Sequence, residues 1–277
     1  MPPSPRPRAL TGAQIRTFIE TGWLRLDACF DAAAARPWID AAWRTLGADP
    51  ERPETWPPDG EAMRGDRNAR IADFAPKLWD AICGLLGGPE RVAGGRELSW
   101  SNSFVIRSPC ADPSRWQPPS PRSRCGWHLD GGDAPRWLDS PEYGLAIWAL
   151  WSDVAPRGGG TYLAFDSVPP VLRELRSHPE GIGRLRMPLQ DIVRACRDVR
   201  EFTGRLGDVI VALPHVVHAE SVNLSKRPRL LTARMVPLAA PLDFARRDPA
   251  DFSVVERSIL SMLGVERLSF RRRAPAR

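Results

Sequence analysis

The stretch GDVIVALPHVVH, residues 207–218, joins a short apolar run to two histidines. An apolar run of this length, bounded by turn residues, is typical of a buried β-strand. His215 and His218 follow the run, so one of them can be carried back across the core of the protein. The stretch therefore predicts a strand and a buried imidazole in the same part of the fold.

Short apolar segments of the same kind occupy the chain from about residue 97 onward. They cover residues 98–106, 144–151, 161–165, 208–213 and 230–236. Strands of this length, separated by turn residues, predict an all-β sandwich or barrel with helices at the front. Apolar spacing predicts helices over 11–20, 31–46 and 77–86, a strand over 23–26, and late helices around Leu172 and over 249–263.

We expect a single domain rather than two. It would have a helical N-terminal part over about 11–95, a β core over about 97–237 and a C-terminal helical extension over about 238–277. A chain of 277 residues, 43% of them hydrophobic, is large enough to bury a substantial core.

The basic charge does not indicate a nucleic-acid partner. The net charge is +6 and the isoelectric point is about 9.5, but the basic residues are almost all arginines and are dispersed. No basic groove lined with aromatic residues is evident. The arginines at 271–273 are interpreted as a solvated tail.

The five cysteines are scattered without a CxxC pair, which predicts reduced thiols. The N-terminus lacks the apolar core of a secretory signal, and no apolar run approaches the ~18–20 residues of a membrane span. We therefore expect a cytoplasmic protein without membrane contact. The sequence gives no indication of its oligomeric state.

The segment WHLDG, residues 127–131, places an imidazole and a carboxylate two residues apart. In an extended strand His128 and Asp130 point to the same side, which suits a divalent metal, although a hydrogen-bonded core pair is an equally ordinary reading. The chain has only four histidines. His178 lies in a polar turn and is predicted to be exposed, so His215 or His218 would complete a metal site.

Two histidines and one carboxylate on one face form the facial triad of non-haem Fe(II) oxygenases. A 2-oxo acid can chelate two of the open metal positions and leave the third for dioxygen. The distal carboxylate of such a co-substrate needs a fixed cation, for which the planar arginine fork is well suited. Arg229 begins an apolar strand and is the candidate, whereas Arg227 is predicted to lie outside.

In this order the residues resemble the phytanoyl-CoA dioxygenase family of Fe(II)/2-oxoglutarate oxygenases. The resemblance rests on WHLDG, on GDVIVALPHVVH with the following Asn223, Ser225 and Arg229, and on residues 11–26, 147–153 and 158–161. It covers most of the chain up to about residue 236. It implies a mainly β fold with flanking helices, a double-stranded β-helix or jelly roll related to the cupins.

The resemblance also implies roles for particular residues. The iron ligands would be His128, Asp130 and His218, and His215 would have no ligand role. The co-substrate 2-oxoglutarate would contact Arg229, Trp148 and Ser221. Glu220 departs from the pattern, because similar proteins often have a small hydroxyl residue there; Ser221 would take over that role, or Glu220 would point away. Asp130 argues against the halogenase variant, in which that position is empty.

Other features near the site allow a functional and a structural reading. Candidate substrate contacts are Trp127, Asp133, Trp137 and Trp116, although each residue type is more often structural. The proline-rich loop 108–126 is typical of a lid or a disordered segment. The three glycines at 158–160 predict a tight turn with positive φ rather than a phosphate loop. Asn223 either braces the loop behind His218 or is a plain turn residue.

The resemblance implies oxidation, usually hydroxylation, of an unactivated C–H bond in a small-molecule metabolite, with Fe(II), 2-oxoglutarate and O2. The arginine-rich, alanine-rich composition and the habits of the family favour natural-product biosynthesis. The alternative is a non-catalytic cupin-like protein that binds a metal or a small molecule. A nucleic-acid-directed demethylase is a weaker third reading. The substrate itself is not indicated.

Overall fold

The structure is a computed structural model that describes residues 10–119, 126–132, 134–183 and 185–273. Its helices are α1 Gly12–Thr21, α2 Ala32–Leu46, α3 Ile71–Phe74, α4 Pro76–Leu86, α5 Val168–Ser177, α6 Leu189–Ala195 and α7 Val254–Met262. Its strands are β1 Trp23–Leu26, β2 Asn68–Arg70, β3 Ser99–Ser101, β4 Val105–Arg107, β5 Leu145–Leu150, β6 Tyr162–Ala164, β7 Val199–Glu201, β8 Val209–Ala212, β9 Val217–Ala219 and β10 Arg229–Val236.

The strands form a large and a small antiparallel sheet, with an additional β2–β3 pair. The large sheet has five strands in the order β1-β8-β5-β10-β4, and the small sheet has three in the order β7-β6-β9. An antiparallel bridge between His128 and His218 adds the segment around residue 128 to the free side of β9.

The chain alternates between these two sheets. From β4 in the large sheet it passes to the His128 bridge, returns to β5, crosses to β6 and β7, returns to β8, crosses to β9 and ends in β10. This alternation is the connectivity of a double-stranded β-helix. All six residues of β5 are buried, as expected for a central strand that is covered on both faces. The predicted fold class is confirmed.

The early helices begin and end where the sequence predicts. The Thr11 side chain accepts a hydrogen bond from the Gln14 amide in a capping box at the start of α1, and Gly22 ends this helix with a φ of 77°. Asp31 caps α2 by accepting from the Ala34 amide at 2.8 Å. These contacts satisfy amide groups that a helix terminus leaves without partners.

The helical N-terminal part is fastened to the large sheet at two places. β1 pairs with β8, from Trp23 opposite Ala212 to Leu26 opposite Val209. Trp151, directly after β5, lies within 5.7 Å of five aromatic ring centroids. These rings belong to Phe30, Trp38, Phe74, Trp100 and Phe104. The cluster joins the helical layer to the sheet through buried apolar area.

The segment 98–106, predicted as one strand, is two strands in different sheets. β3 pairs with β2, whereas β4 pairs with β10. Between them the buried Asn102 side chain accepts from the Arg67 amide at 2.9 Å and donates to the Trp38 carbonyl at 3.3 Å. These bonds redirect the chain, which apolar spacing alone does not reveal.

The late helix begins at Val254, after a short 3-10 turn over Pro249–Asp251, rather than at residue 249. Residues 271–273 are exposed, as the interpretation of a solvated tail expects, but Arg272 is attached to the protein body. Its Nε donates to Asp139 Oδ1 at 2.8 Å, and its guanidinium lies 4.8 Å from the centroid of the Trp137 ring.

Four cysteines fall within the described residues, and all four are free thiols, whereas Cys125 lies outside them. Over the same part of the chain, no helix combines the length and the apolar character that crossing a bilayer requires.

Glu256 is a fully buried carboxylate at the start of α7. Its oxygens accept from Arg91 at 2.9 Å, from Arg246 at 3.1 Å and from the backbone amides of Ser253 and Asp243 at 2.7 and 2.9 Å. Burial raises the pKa of this carboxyl, but the Arg246 side chain and the other donors outweigh burial and bring the pKa to about 2. The carboxylate therefore stabilises the packing of the C-terminal helix only while it is ionised.

We expect Glu256→Gln to lower the free energy of unfolding at pH 7 by about 2–3 kcal/mol. Because the folded-state pKa is depressed, this contribution is present above the ordinary pKa of 4.5 and is lost as the pH falls toward 2. Urea denaturation measures the loss of unfolding free energy at pH 7 and at about pH 3, and a substitution of the exposed Glu266, Glu266→Gln, is the control. An equal deficit at both pH values would show that ionisation of Glu256 is not the cause.

Candidate metal centre

Three side chains from separate parts of the chain converge between the two sheets. One ligand atom each from His128, Asp130 and His218 lies within 4.8 Å of the other two. Asp130 Oδ1 is 3.8 Å from His128 Nε2 and 3.4 Å from His218 Nε2. Ligands at right angles around an ion with bonds of roughly 2.1 Å stand about 3 Å apart, so the three groups need only a small contraction to share one ion. The sequence-predicted triad is thus brought together.

Local backbone pairing creates this convergence. The His128 amide donates to the His218 carbonyl at 2.9 Å, and the His218 amide donates to the His128 carbonyl at 3.0 Å. β9 is held on its other side by β6, where Leu163 is opposite His218. Because directly opposite residues point to the same side of a sheet, the two imidazoles share one face, with ring centroids 4.3 Å apart.

Both imidazoles are oriented by backbone carbonyls. His128 Nδ1 lies 2.8 Å from the Gly126 oxygen, and His218 Nδ1 lies 3.2 Å from the Val216 oxygen. A carbonyl oxygen only accepts, so each Nδ1 carries the proton and donates. When the imidazole is neutral, its Nε2 is then unprotonated and presents its lone pair toward Asp130. This is the tautomer that metal ligation requires.

Asp130 is held ionised. Burial raises the pKa of this carboxyl, but the hydrogen bond and charge of His218, with the charges of His128 and Arg136, outweigh burial and lower the pKa. Arg136 acts on the same segment through its position, because it donates to the Asp130 carbonyl oxygen and, at 3.1 Å, to the Pro214 carbonyl oxygen. It therefore ties the Asp130 segment to the turn before the second histidine ligand. The sequence did not identify this role.

The other two histidines lie apart from the cluster. His215 is buried, and burial with the nearby charge of Arg136 lowers its pKa to about 3, so it is neutral. His178 lies at the end of α5, where its Nδ1 is 2.8 Å from the Glu174 carbonyl oxygen. His178 is half-buried rather than fully exposed as predicted.

Arg229 begins β10 and is 2% exposed. Its Nε donates to the Gly159 carbonyl at 2.7 Å, and its Nη1 donates to the Val105 carbonyl at 3.1 Å. Burial and the charge of Arg107 lower its pKa to about 9. Among the described residues, no carboxylate forms an ion pair with Arg229. A buried cation whose bonds go to neutral carbonyls can receive an anion.

The glycine turn predicted at 158–160 positions this arginine. Gly159 has a φ of 82°, and a Cβ there would lie 2.8 Å from Asn223 Cβ and 3.1 Å from Arg107 Cβ. The turn is therefore restricted to glycine by both its backbone conformation and its packing. Its next carbonyl, that of Gly160, accepts from the Ser221 hydroxyl at 2.6 Å. The turn thus joins Arg229 to the segment that follows His218.

Asn223 braces the loop behind His218, which is the first of its two sequence readings. Its fully buried amide donates to the carbonyls of Arg107 and Arg227, each at 2.8 Å, and accepts from the Ser225 amide at 2.8 Å. Its own carbonyl accepts from the Cys110 amide at 2.7 Å. These bonds link the end of β4 to the β9–β10 connection.

Sequence reasoning missed a second buried arginine. Arg107 ends β4 directly opposite Arg229 and is 6% exposed. Its guanidinium contacts Glu220 and lies 3.4 Å from Asp59. Glu220, which departs from the family pattern, was the sequence signal for Arg107. A carboxylate placed near the predicted position of a co-substrate carboxylate requires a compensating cation. The Glu220 side chain is 56% exposed and points to Arg107.

The remaining co-substrate candidates both lie in the core. Trp148 is 1% exposed and meets the His218 ring edge-on at a centroid distance of 5.1 Å, so it forms an apolar wall beside one ligand. Ser221 is buried, and its hydroxyl donates to Gly160. For Trp148 and Ser221 alike, a contact with 2-oxoglutarate stays a prediction.

The candidate substrate residues are dispersed. Trp127 is buried in the hydrophobic core next to His128. Trp137 donates from Nε1 to the Pro179 carbonyl at 3.1 Å, and Trp116 lies 4.3 Å below the Arg157 guanidinium. Asp133 lies outside the described residues. These contacts give the half-buried Trp116 and Trp137 structural partners, and the role of both residues toward a substrate stays a prediction.

The described first part of the proline-rich loop is attached to the protein body. Pro113–Arg115 forms a 3-10 turn, and the Tyr162 hydroxyl donates to the Gln117 carbonyl at 2.6 Å. Residues 120–125 lie outside the described residues, and the lid prediction falls partly on them.

No model of a known protein family matches this chain, and no curated protein matches its sequence. Solved structures with a similar backbone include SnoK, described as a non-heme alpha-ketoglutarate-dependent carbocyclase from nogalamycin biosynthesis, at 16% identity over 83% of this chain and 84% of SnoK, with a TM-score of 0.48. HygX from Streptomyces hygroscopicus, solved with nickel and 2-oxoglutarate, has 18% identity over 81% of this chain and 85% of HygX, with a TM-score of 0.44. EctD from S. alaskensis, solved with 2-oxoglutarate and 5-hydroxyectoine, has 16% identity over 85% of this chain and 78% of EctD, with a TM-score of 0.45.

We expect His218→Gln to weaken binding of a divalent ion by about 100-fold or more, because one of three ligands is lost. Equilibrium dialysis with Fe(II) under anaerobic conditions, or with Co(II), measures the affinity directly. His178→Gln is the matched control, since it removes a histidine distant from the cluster. Equal affinities in the two variants would contradict the three-ligand centre.

Proposed function

We propose that the protein is an Fe(II)- and 2-oxoglutarate-dependent oxygenase of the phytanoyl-CoA dioxygenase type, folded as a single domain. The observation that carries the proposal is the convergence of His128, Asp130 and His218 with both Nε2 atoms close to the carboxylate. This donor set leaves part of the coordination sphere of an ion open, as in non-haem Fe(II) oxygenases.

Bound iron, together with 2-oxoglutarate and dioxygen, would supply the oxidising power to attack an unactivated C–H bond, with succinate and carbon dioxide as coproducts. The chain's own residues provide orientation and charge. The two neutral imidazoles and the single carboxylate leave one positive charge on a bound Fe(II). Trp148 excludes water beside His218 because its ring is buried against that ligand.

Arg229 would hold the distal carboxylate of 2-oxoglutarate. Support comes from its burial, from its bonds to the neutral Gly159 and Val105 carbonyls, and from the glycine turn that connects it to the His218 segment. A protein that only binds a metal has no need for a buried cation at this place. The enzyme hypothesis is therefore favoured over a non-catalytic cupin-like protein.

The substrate is proposed to be a small-molecule metabolite, and hydroxylation is the expected outcome. The same chemistry can desaturate, epoxidise or close rings, depending on where the substrate is held. A role in natural-product biosynthesis rests on the family resemblance and the composition of the chain.

The proposal is tested by succinate release from 2-oxoglutarate in the presence of Fe(II), ascorbate and dioxygen, with and without small-molecule extracts. Absence of succinate under all conditions, with the metal bound, would favour the binding protein instead.

We expect Arg229→Gln to raise the KM for 2-oxoglutarate by about 100-fold or more, because a buried charge pair with the co-substrate is lost. Arg227→Gln is the matched control, since that side chain is 73% exposed and pairs with Glu51 at the surface. Steady-state kinetics with varied 2-oxoglutarate measures the change, and circular dichroism confirms that both variants are folded. An unchanged KM in Arg229→Gln would remove Arg229 from the co-substrate site.

A further inference from the structure

Two buried arginines occupy directly opposite positions on neighbouring strands. Arg107 of β4 is the register partner of Arg229 in β10, and both are less than 9% exposed. Directly opposite side chains in an antiparallel pair point to the same side and have Cβ atoms about 5 Å apart, so like charges there repel. Burial adds the cost of removing both cations from water. An arrangement of this kind is stable only when anions lie close to it.

The anions that meet Arg107 are both closer to solvent than Arg107 itself. The Asp59 side chain is 31% exposed and the Glu220 side chain 56% exposed, against 8% for Arg107. Arg107 Nε is buried and has no hydrogen-bond partner among the described residues. The guanidinium therefore retains a buried donor without a partner among the described residues, and both of its carboxylate partners are more exposed than it is.

Arg107 also connects the two halves of the proposed site. On one side it faces Arg229, and its Cβ lies against Gly159, whose carbonyl accepts from Arg229. On the other side it contacts Glu220, which follows the ligand His218 by two residues. A co-substrate that reaches from the metal to Arg229 extends along this connection.

We propose that Arg107 is a second guanidinium for the distal carboxylate of the 2-oxo acid, and that Glu220 holds Arg107 when the co-substrate is absent and withdraws when it binds. This inference rests on the proposed function, because it concerns the same site. More than half of the Glu220 side chain is already exposed, so water can solvate its carboxylate when it leaves Arg107. Two arginines around one carboxylate would select 2-oxo acids with a second negative charge over those with only one.

The test compares binding of 2-oxoglutarate with binding of pyruvate, which has the chelating 2-oxo acid group but no distal carboxylate. Anaerobic calorimetric titration of the Fe(II)-loaded protein gives both dissociation constants without turnover. We expect Arg107→Met to weaken 2-oxoglutarate binding about 10- to 100-fold and to leave pyruvate binding within about 2-fold. An equal loss for both acids, or no loss, would overturn the role of Arg107.

Two further variants keep the test decisive if Arg107→Met does not fold. Arg107→Lys retains the charge but not the planar fork, so it should lose less 2-oxoglutarate affinity than the Met variant and still lose none for pyruvate. Glu220→Gln should bind 2-oxoglutarate as tightly as the wild type or several-fold more tightly, because a competing carboxylate is removed. Weaker 2-oxoglutarate binding by Glu220→Gln would show that Glu220 supports co-substrate binding and does not release Arg107 to the co-substrate.

The wild-type titration distinguishes failure of the proposed function from failure of the inference about Arg107. If the wild type binds neither acid, the proposed function fails and the inference fails with it. If the wild type prefers 2-oxoglutarate to pyruvate and the Arg107 variants keep that preference, only the inference fails. The Arg227→Met variant should keep the wild-type preference, because its exposed side chain pairs with Glu51.

Discussion

The pair of backbone hydrogen bonds between His128 and His218 is the interaction on which the site depends. It adds the segment of residue 128 to the small sheet, beside β9, and it places two imidazoles on one face. His128 and His218 are 90 residues apart in sequence, and this bridge places them side by side. Asp130 follows on the same face, so one bridge supplies the whole donor set.

Main-chain carbonyls, rather than charged side chains, position many of the histidines and arginines around the site. Carbonyls fix the tautomer of both histidine ligands, and other carbonyls receive Arg229 and Arg136. Neutral acceptors hold a cation in place without neutralising its charge. Arg229, which forms no ion pair with a described carboxylate, therefore remains able to attract an anion.

The sequence was sufficient for the fold class, the three clustered residues and the burial of Arg229. Histidines are rare in this chain, so spacing and strand position left His215 and His218 as alternatives beside His128 and Asp130, and the family resemblance selected His218. Arg107 and Arg136 could not be found in this way, because arginines are abundant and only the register and the tertiary contacts distinguish them. The strands β7 and β9 have three residues each, too few for a periodic pattern. The redirection at Asn102 depends on side-chain hydrogen bonds from distant segments.

The turn around Gly159 limits how mutation can change the proposed co-substrate site. Its backbone packs so closely on Asn223 and Arg107 that no larger residue can be placed there without moving β4 or the β9–β10 connection. The wall behind the proposed co-substrate is thus made of main chain, which mutation cannot easily reshape. New chemistry would more readily arise at positions such as Gly132 and Ala134, which are exposed; a Cβ at Gly132 would meet none of the described atoms within 4 Å.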